Sequence, residues 1–302
     1  MVDRRNFLLQ SAAALATSVL TPALAQTMNA ATIKRGLLER PGCRLYFEIT
    51  GSGPAVIFAH GLGSNHLTWW QQVGHFAGRY TCVTFAHRGF APGSDIPGGP
   101  DPNDFAGDLS ALIEHLRLSD VRLVAQSMGG WTSIEYMLSY PHKVRALVLA
   151  STCGTIDRVS VPLADPRRLG EWTRKAAAAR ADMQRRGISP PAGERMAREQ
   201  PALHFLYQEI AGVSASLDRE ALRKRLTAMA TRQPDVLRGL AVPTLFITGD
   251  EDTTYPPFVS DALAPLMPNA KVEQVREAGH SVYFERASVF NQLLERFLGP
   301  VG

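Results

Sequence analysis

The stretch RLVAQSMGGW (122–131) sets a serine, Ser127, between an apolar run and two glycines. Apolar strand, tight turn and helix, in that order, lift a serine hydroxyl to the edge of a sheet where it can act as a nucleophile. Such a turn strains the serine backbone and brings the chain before it close to the helix after it. The residues two positions away on each side must therefore be small. Here they are Ala125 and Gly129, and Gly130 gives the helix further room to approach. Ala125 stands where the motif usually carries glycine; its one extra methyl weakens the pattern but keeps the steric requirement. The competing reading is an ordinary hydroxyl at the start of an ordinary helix.

Three further stretches place chemistry-bearing residues just after apolar runs: FAHGLGSNHLTWW (58–70), LFITGDEDTTYPP (245–257) and REAGHSVYFER (276–286). The elements that would position them alternate strand with helix, which argues for a mostly parallel sheet covered by helices. LYFEI (45–49) alternates like an early hairpin strand. AVIFAH (55–60) and YTCVTFA (80–86) read as buried strands, VRLVAQ (121–126) as a further strand, VRALVLAS (144–151) and PTLFITG (243–249) as the next two central strands and AKVEQV (270–275) as the last. NDFAGDLSALIEHLRL (103–118) has one apolar helical face, a helix follows Ser127 up to Tyr140 before Pro141, and a closing helix is expected over 282–297. Between Thr155 and Pro234 strand signals vanish and helical periodicity takes over, broken at SPPAG (189–193) and Pro201. Residues 157–235 carry 15 Lys and Arg against 10 Asp and Glu, a net +5. A helical insertion there is placed to cover a pocket at the strand ends; the alternative is a solvated decoration.

With these elements in place the chain resembles the α/β-hydrolase superfamily. The resemblance implies an α/β fold, with a mostly parallel central sheet, helices on both faces and an inserted helical cap. The core would be residues 26–154 and 236–302, and the cap 155–235. It implies a catalytic set of Ser127, Asp252 and His280, in the order the superfamily uses. Asp252 lies three residues beyond Gly249, with Asp250 and Glu251 as local competitors. The backbone N–H groups of Leu62 and Met128 would form the oxyanion hole. His60 and Gly61 would border the substrate pocket with Trp69, His60 having a structural part rather than that of a base. FAHRGFAPGS (85–94) departs from the family's Asp-x-Arg-Gly loop, because Ala86 replaces the acid. That departure argues against a local salt bridge, and surface positions are expected for His87 and Arg88.

The resemblance implies hydrolysis of a small-molecule carboxylic ester or lactone, with no metal or organic cofactor. Hydrolysis of a carbon–carbon bond next to a ketone is the alternative, amide hydrolysis and perhydrolysis are weaker ones, and a non-catalytic ligand-binding protein on the same fold is the rival from another class. Composition narrows the field. Of 302 residues, 45% are hydrophobic and 20% charged, with a net charge of +4, which suits a globular enzyme and lacks the dense basic run of a nucleic-acid binder. The excess of +5 on the insertion also allows a docking surface for an anionic lipid or polymer, although a solvated face is the plainer reading. Cys43, Cys82 and Cys153 have no metal-site spacing and read as buried free thiols, with one disulfide left open. Residues 1–25 have the arginine pair (Arg4, Arg5), apolar run and Ala23-Leu24-Ala25 site of a twin-arginine signal peptide. They imply the twin-arginine export machinery as partner of the precursor and a periplasmic or secreted location. The run is too broken by Ser and Thr for a stable membrane span.

Overall fold

A computed structural model describes residues 32–299. The export signal expected over residues 1–25 lies outside the described residues. The chain runs β1 (Lys34–Arg40), β2 (Cys43–Thr50), β3 (Ala55–Ala59), α1 (Trp70–Phe76), β4 (Thr81–Phe85), α2 (Phe105–His115), β5 (Val121–Gln126), α3 (Gly129–Ser139) and β6 (Val144–Ala150). Four helices follow before the next strand: α4 (Arg167–Arg185), α5 (Glu194–Glu199), α6 (Pro201–Gly212) and α7 (Arg219–Met229). The fold closes with β7 (Thr244–Gly249), α8 (Phe258–Leu263), β8 (Ala270–Val275), α9 (Val282–Glu285) and α10 (Ala287–Leu298).

The strands form one eight-stranded sheet in the order β1-β2-β4-β3-β5-β6-β7-β8. The β1–β2 hairpin and the β2–β4 pair are antiparallel, and every other pair is parallel. Alternation of side chains along the inner strands explains why both faces need helices. Ile57, Leu123, Leu147 and Phe246 meet Leu109, Ile134, Val259 and Leu263 on one face. Val56, Phe58, Val124, Val148 and Ile247 meet Phe76, Phe290 and Leu294 on the other. From β3 the chain goes to one neighbour, β4, and then crosses to the other, β5. That reversal opens a crevice at the carboxyl ends of β3 and β5, where an open parallel sheet binds its ligand. The helices α4–α7 are the inserted cap.

The expected closing helix is two helices. Arg286 leaves the helical conformation (φ −121, ψ 44). Its guanidinium donates to the Glu277 carbonyl, and Glu285 accepts from Gly279, so bonds to the loop before α9 override the helical period. The loop after β4 also differs from expectation. His87 and Arg88 are buried, not on the surface. Arg88 grips Asp108 of α2 through Nε and Nη2, each at 2.6 Å, and also pairs with Asp104. A salt bridge anchors this loop after all, with its acids supplied by α2 and the turn before it instead of position 86. All three cysteines are free and buried. No helix among the described residues is long and apolar enough to cross a membrane.

Candidate active site

Ser127 leaves β5 in the left-handed region, at φ 49, a conformation that costs a non-glycine residue energy and is held by its surroundings. Its N–H donates to Ala150 O at 3.0 Å, and its carbonyl accepts from Gly130 N–H at 2.8 Å. A methyl at Gly129 would collide with the Ala59 carbonyl, so glycine is required where α3 crosses the end of β3. Ala125 is fully buried in the core, and its methyl fits there.

Ala59 pairs with Ala125, so the loops that follow β3 and β5 rise side by side. A Cβ at Gly61 would collide with Gln126 Oε1 and lie 3.1 Å from Ser127 Cβ. The Gly61 carbonyl is held by His60 Nδ1 at 2.9 Å, Ser64 N–H at 3.3 Å and Ser64 Oγ at 3.1 Å. In a trans peptide the next N–H points away from that carbonyl. The three bonds therefore fix the direction of the Leu62 N–H. Neither Leu62 N–H nor Met128 N–H donates a hydrogen bond among the described residues, while their side chains share one buried cluster. Two unspent donors on adjoining loops are what a developing oxyanion needs.

His60 sits beneath this loop, not against a pocket. It is fully buried; Nδ1–H donates to Gly61 O, and Nε2 accepts the His87 N–H at 3.1 Å. Burial pushes its pKa down to about 3, so it stays neutral. The His87 imidazole, also buried and beside His60, is pushed well below its ordinary value. Trp69 is fully buried among Phe58, Tyr283 and Phe290, in the core between sheet and closing helices.

Gly249 and Val275 are paired at the ends of β7 and β8, which brings the next two loops together. Asp252 and His280 are both buried, and His280 Nδ1 lies 2.8 Å from Asp252 Oδ2. Asp252 Oδ1 accepts from Thr254 N–H at 2.7 Å and Tyr255 N–H at 2.9 Å. The competing acids are engaged elsewhere: Glu251 pairs with Arg195 at 2.5 Å, and Asp250 accepts from Ala278 N–H at 3.5 Å. Gln126, next to the serine, donates through Nε2 to the His280 carbonyl at 3.3 Å, tying the histidine loop to the serine turn. Ser127 Oγ and His280 Nε2 form no hydrogen bond in this structure, a contact that in such sites often tightens only with substrate.

Three residues near this constellation carry no sequence motif. Glu285 is buried; Oε1 accepts the Gly279 N–H at 2.6 Å, and Oε2 has no partner. Burial raises its carboxyl to about 7. Arg219 of α7 donates to the Leu62 carbonyl at 3.2 Å, and Arg180 of α4 donates to the Thr253 carbonyl. Only the packing of the cap on the two loops reveals the two arginines. Among the described residues, no three His, Cys, Asp or Glu side chains gather as a metal site requires. A groove of about 670 Å³ lined by Asp101, Glu135, Arg225 and Arg232 does not include Ser127, Asp252 or His280.

Comparison with known proteins agrees with this architecture. A Mycobacterium tuberculosis protein named as a non-heme bromoperoxidase, BpoC, is 29% identical over 279 residues, 85% of this chain and 98% of its own length. The 3-oxoadipate enol-lactonase 2 of Acinetobacter baylyi is 28% identical over 256 residues, 80% of this chain and 87% of its own. A thermophilic esterase from Thermogutta terrifontis superposes with a TM-score of 0.69 over 88% of this chain and 98% of that one, at 24% identity. The alpha/beta hydrolase fold profile matches residues 54–287, which takes in the serine turn, both loops and the cap; the chain belongs to the α/β-hydrolase fold family and is an enzyme of that family.

Proposed function

We propose that the protein hydrolyses a carboxylic ester or lactone through an acyl-enzyme on Ser127. The observation that carries this reading is the buried 2.8 Å pair of His280 Nδ1 and Asp252, tied through Gln126 to a serine held at positive φ. His280 Nε2 takes the Ser127 proton as Oγ attacks the carbonyl carbon, and Asp252 holds the tautomer and stabilises the imidazolium. Leu62 and Met128 N–H receive the oxyanion. Collapse expels the alcohol, which takes the proton from His280. Water then gives a proton to His280 as its oxygen attacks the acyl carbon; release of the acid returns that proton to Ser127. Relatives named as an enol-lactonase and an esterase fit this chemistry. The cap supplies the walls of the acyl pocket. Carbon–carbon hydrolysis would use the same groups, and a ligand-binding protein would have no use for the His280–Asp252 pair.

A fluorophosphonate probe is expected to label wild type and to spare Ser127→Ala and His280→Ala; labelling of Ser127→Ala would sink the nucleophile. A panel of p-nitrophenyl esters, lactones and carbon–carbon substrates, with Ser127→Ala as control, then separates the reactions. We further propose that residues 1–25 direct export as a folded precursor, placing the enzyme in the periplasm or outside the cell. Uncut full-length protein in the cytoplasmic fraction would refute that location.

A further inference from the structure

The cap presents one face of each of two helices to the core. On α4, Ala176 and Met183 are buried, and Arg180 lies between them on the same face. On α7, Leu222 and Leu226 are buried, with Arg219 and Arg223 on the same side. Leu222 and Leu226 share a buried cluster with Leu62 and Met128, the two residues whose N–H groups are unspent. Arg219 therefore enters beside the oxyanion loop, where Nε donates to the Leu62 carbonyl at 3.2 Å and Nη2 to the Ala211 carbonyl at 2.5 Å. Arg180 enters at the opposite side, on the carbonyl of Thr253, next to Asp252.

Among the described residues neither Arg180 nor Arg219 has an acidic partner; every ion pair on the cap belongs to other arginines. Arg223, exposed on α7, reaches only Glu220, at 3.8 Å. Both unpaired guanidiniums are held below the usual arginine value, first by burial; repulsion from Arg223 and Arg158 adds to this at Arg180. Asp252, whose oxygens are bonded to His280, Thr254 and Tyr255, attracts Arg180 without bonding it, and among the described residues no acid pairs with Arg219. A part-buried cation without a counter-ion is costly, and a bound anion removes that cost. Carbonyl bonds use some of the five guanidinium donors and leave the charge uncompensated.

We infer that Arg219 and Arg180, beneath the cap beside the oxyanion loop and the acid loop, select esters or lactones bearing a carboxylate over neutral ones. This rests on the hydrolytic reading of Ser127 and names its substrate class. The carboxylate end of the substrate pairs with one of these guanidiniums while its ester carbonyl reaches Ser127. Arginine suits this task, because its planar fork can hold a backbone carbonyl and a carboxylate together.

The test compares mono-p-nitrophenyl glutarate with p-nitrophenyl butyrate. Wild type is expected to favour the anionic ester by about tenfold or more in kcat/KM, with the preference shrinking at high salt. Arg219→Gln and Arg180→Gln keep a donor for the carbonyls and are expected to lower the ratio severalfold, while Arg219→Lys restores part of it. A wild-type preference for the neutral ester, or a ratio untouched in both glutamine variants, overturns the inference. If neither these two esters nor any ester or lactone of the panel turns over, the hydrolytic reading fails by itself. Calorimetric binding of monomethyl glutarate to Ser127→Ala then decides the anion site, which requires binding that Arg219→Gln weakens by about tenfold.

Discussion

Two buried histidines stand at the strand ends in environments that differ in two atoms. His60 Nδ1 meets the Gly61 carbonyl at 2.9 Å, and His280 Nδ1 meets the Asp252 carboxylate at 2.8 Å. The His60 Nε2 is occupied by the His87 N–H, whereas His280 Nε2 has no protein partner among the described residues. A carbonyl dipole cannot hold an imidazolium in a site that burial has stripped of water, and His60 is accordingly pushed down to about 3. A carboxylate can hold it. In the proposed mechanism, what makes one of these rings a base and the other a strut is the charge of its partner and the freedom of its second nitrogen; burial is common to both.

Erasing that difference gives the largest expected effect. Asp252→Asn turns the partner of His280 neutral while keeping its shape, so the ring loses its tautomer and its counter-charge. On the ester substrates kcat is expected to fall by about 10⁴-fold, or about 5.5 kcal/mol, and Asp250→Asn is expected to change it only severalfold. Equal losses in the two variants would mean that Asp252 is not the acid. His60→Ala acts on the strut. It empties a fully buried site and strips the Gly61 carbonyl of one of three donors. Stability is expected to drop by about 3–5 kcal/mol in urea titrations, while the pH profile of the folded fraction keeps its midpoint. A moved midpoint would give His60 a place in proton transfer.

Glu285 extends the comparison to a carboxylate that lacks a cation. It ends α9, just after the histidine loop, but it meets only the Gly279 N–H, and burial raises it to about 7. The folded state thus keeps this proton up to about pH 7, while the unfolded chain releases it near the ordinary value of 4.5. Between those two values the folded state binds more protons, so stability falls as pH rises through the window. Glu285→Gln removes this titration. It is expected to match wild type at pH 4.5 and to exceed it by up to about 3 kcal/mol at pH 8, read from urea midpoints. Parallel pH curves for the two proteins would show that Glu285 does not carry the slope.

The sequence makes some of this visible and hides the rest for physical reasons. The inner strands announce themselves as short apolar runs between turn residues; VRLVAQ and the edge run AKVEQV are the strands Val121–Gln126 and Ala270–Val275 to the residue. Ser127 is legible because its turn admits only small neighbours, a constraint local in sequence. The closing helix is misread at Arg286 because the bonds that break it come from the loop before His280. Arg88 is misread for a similar reason: its acids, Asp104 and Asp108, lie on and just before the next helix, far from the loop motif. Glu285, Arg180 and Arg219 are invisible to pattern reading, since a charged residue on a helix reads as solvated until its packing is known.

The smallest expected effect comes from the residue that joins the two sides. Ala125 pairs with Ala59 across the sheet; Ala59 precedes His60, and Ala125 lies two residues before Ser127. Were the Ala125 methyl a compromise forced on the elbow, Ala125→Gly would relax the turn and raise kcat. The buried fit in the core argues the opposite. Losing a buried methyl and adding backbone freedom to a strand should together lower stability by about 1 kcal/mol, with kcat within about twofold of wild type. A gain in kcat of tenfold would show that the methyl strains the serine. A loss confined to stability would show that the small-residue requirement at this position is set by volume alone, and that alanine satisfies it while also stabilising the strand that carries the nucleophile.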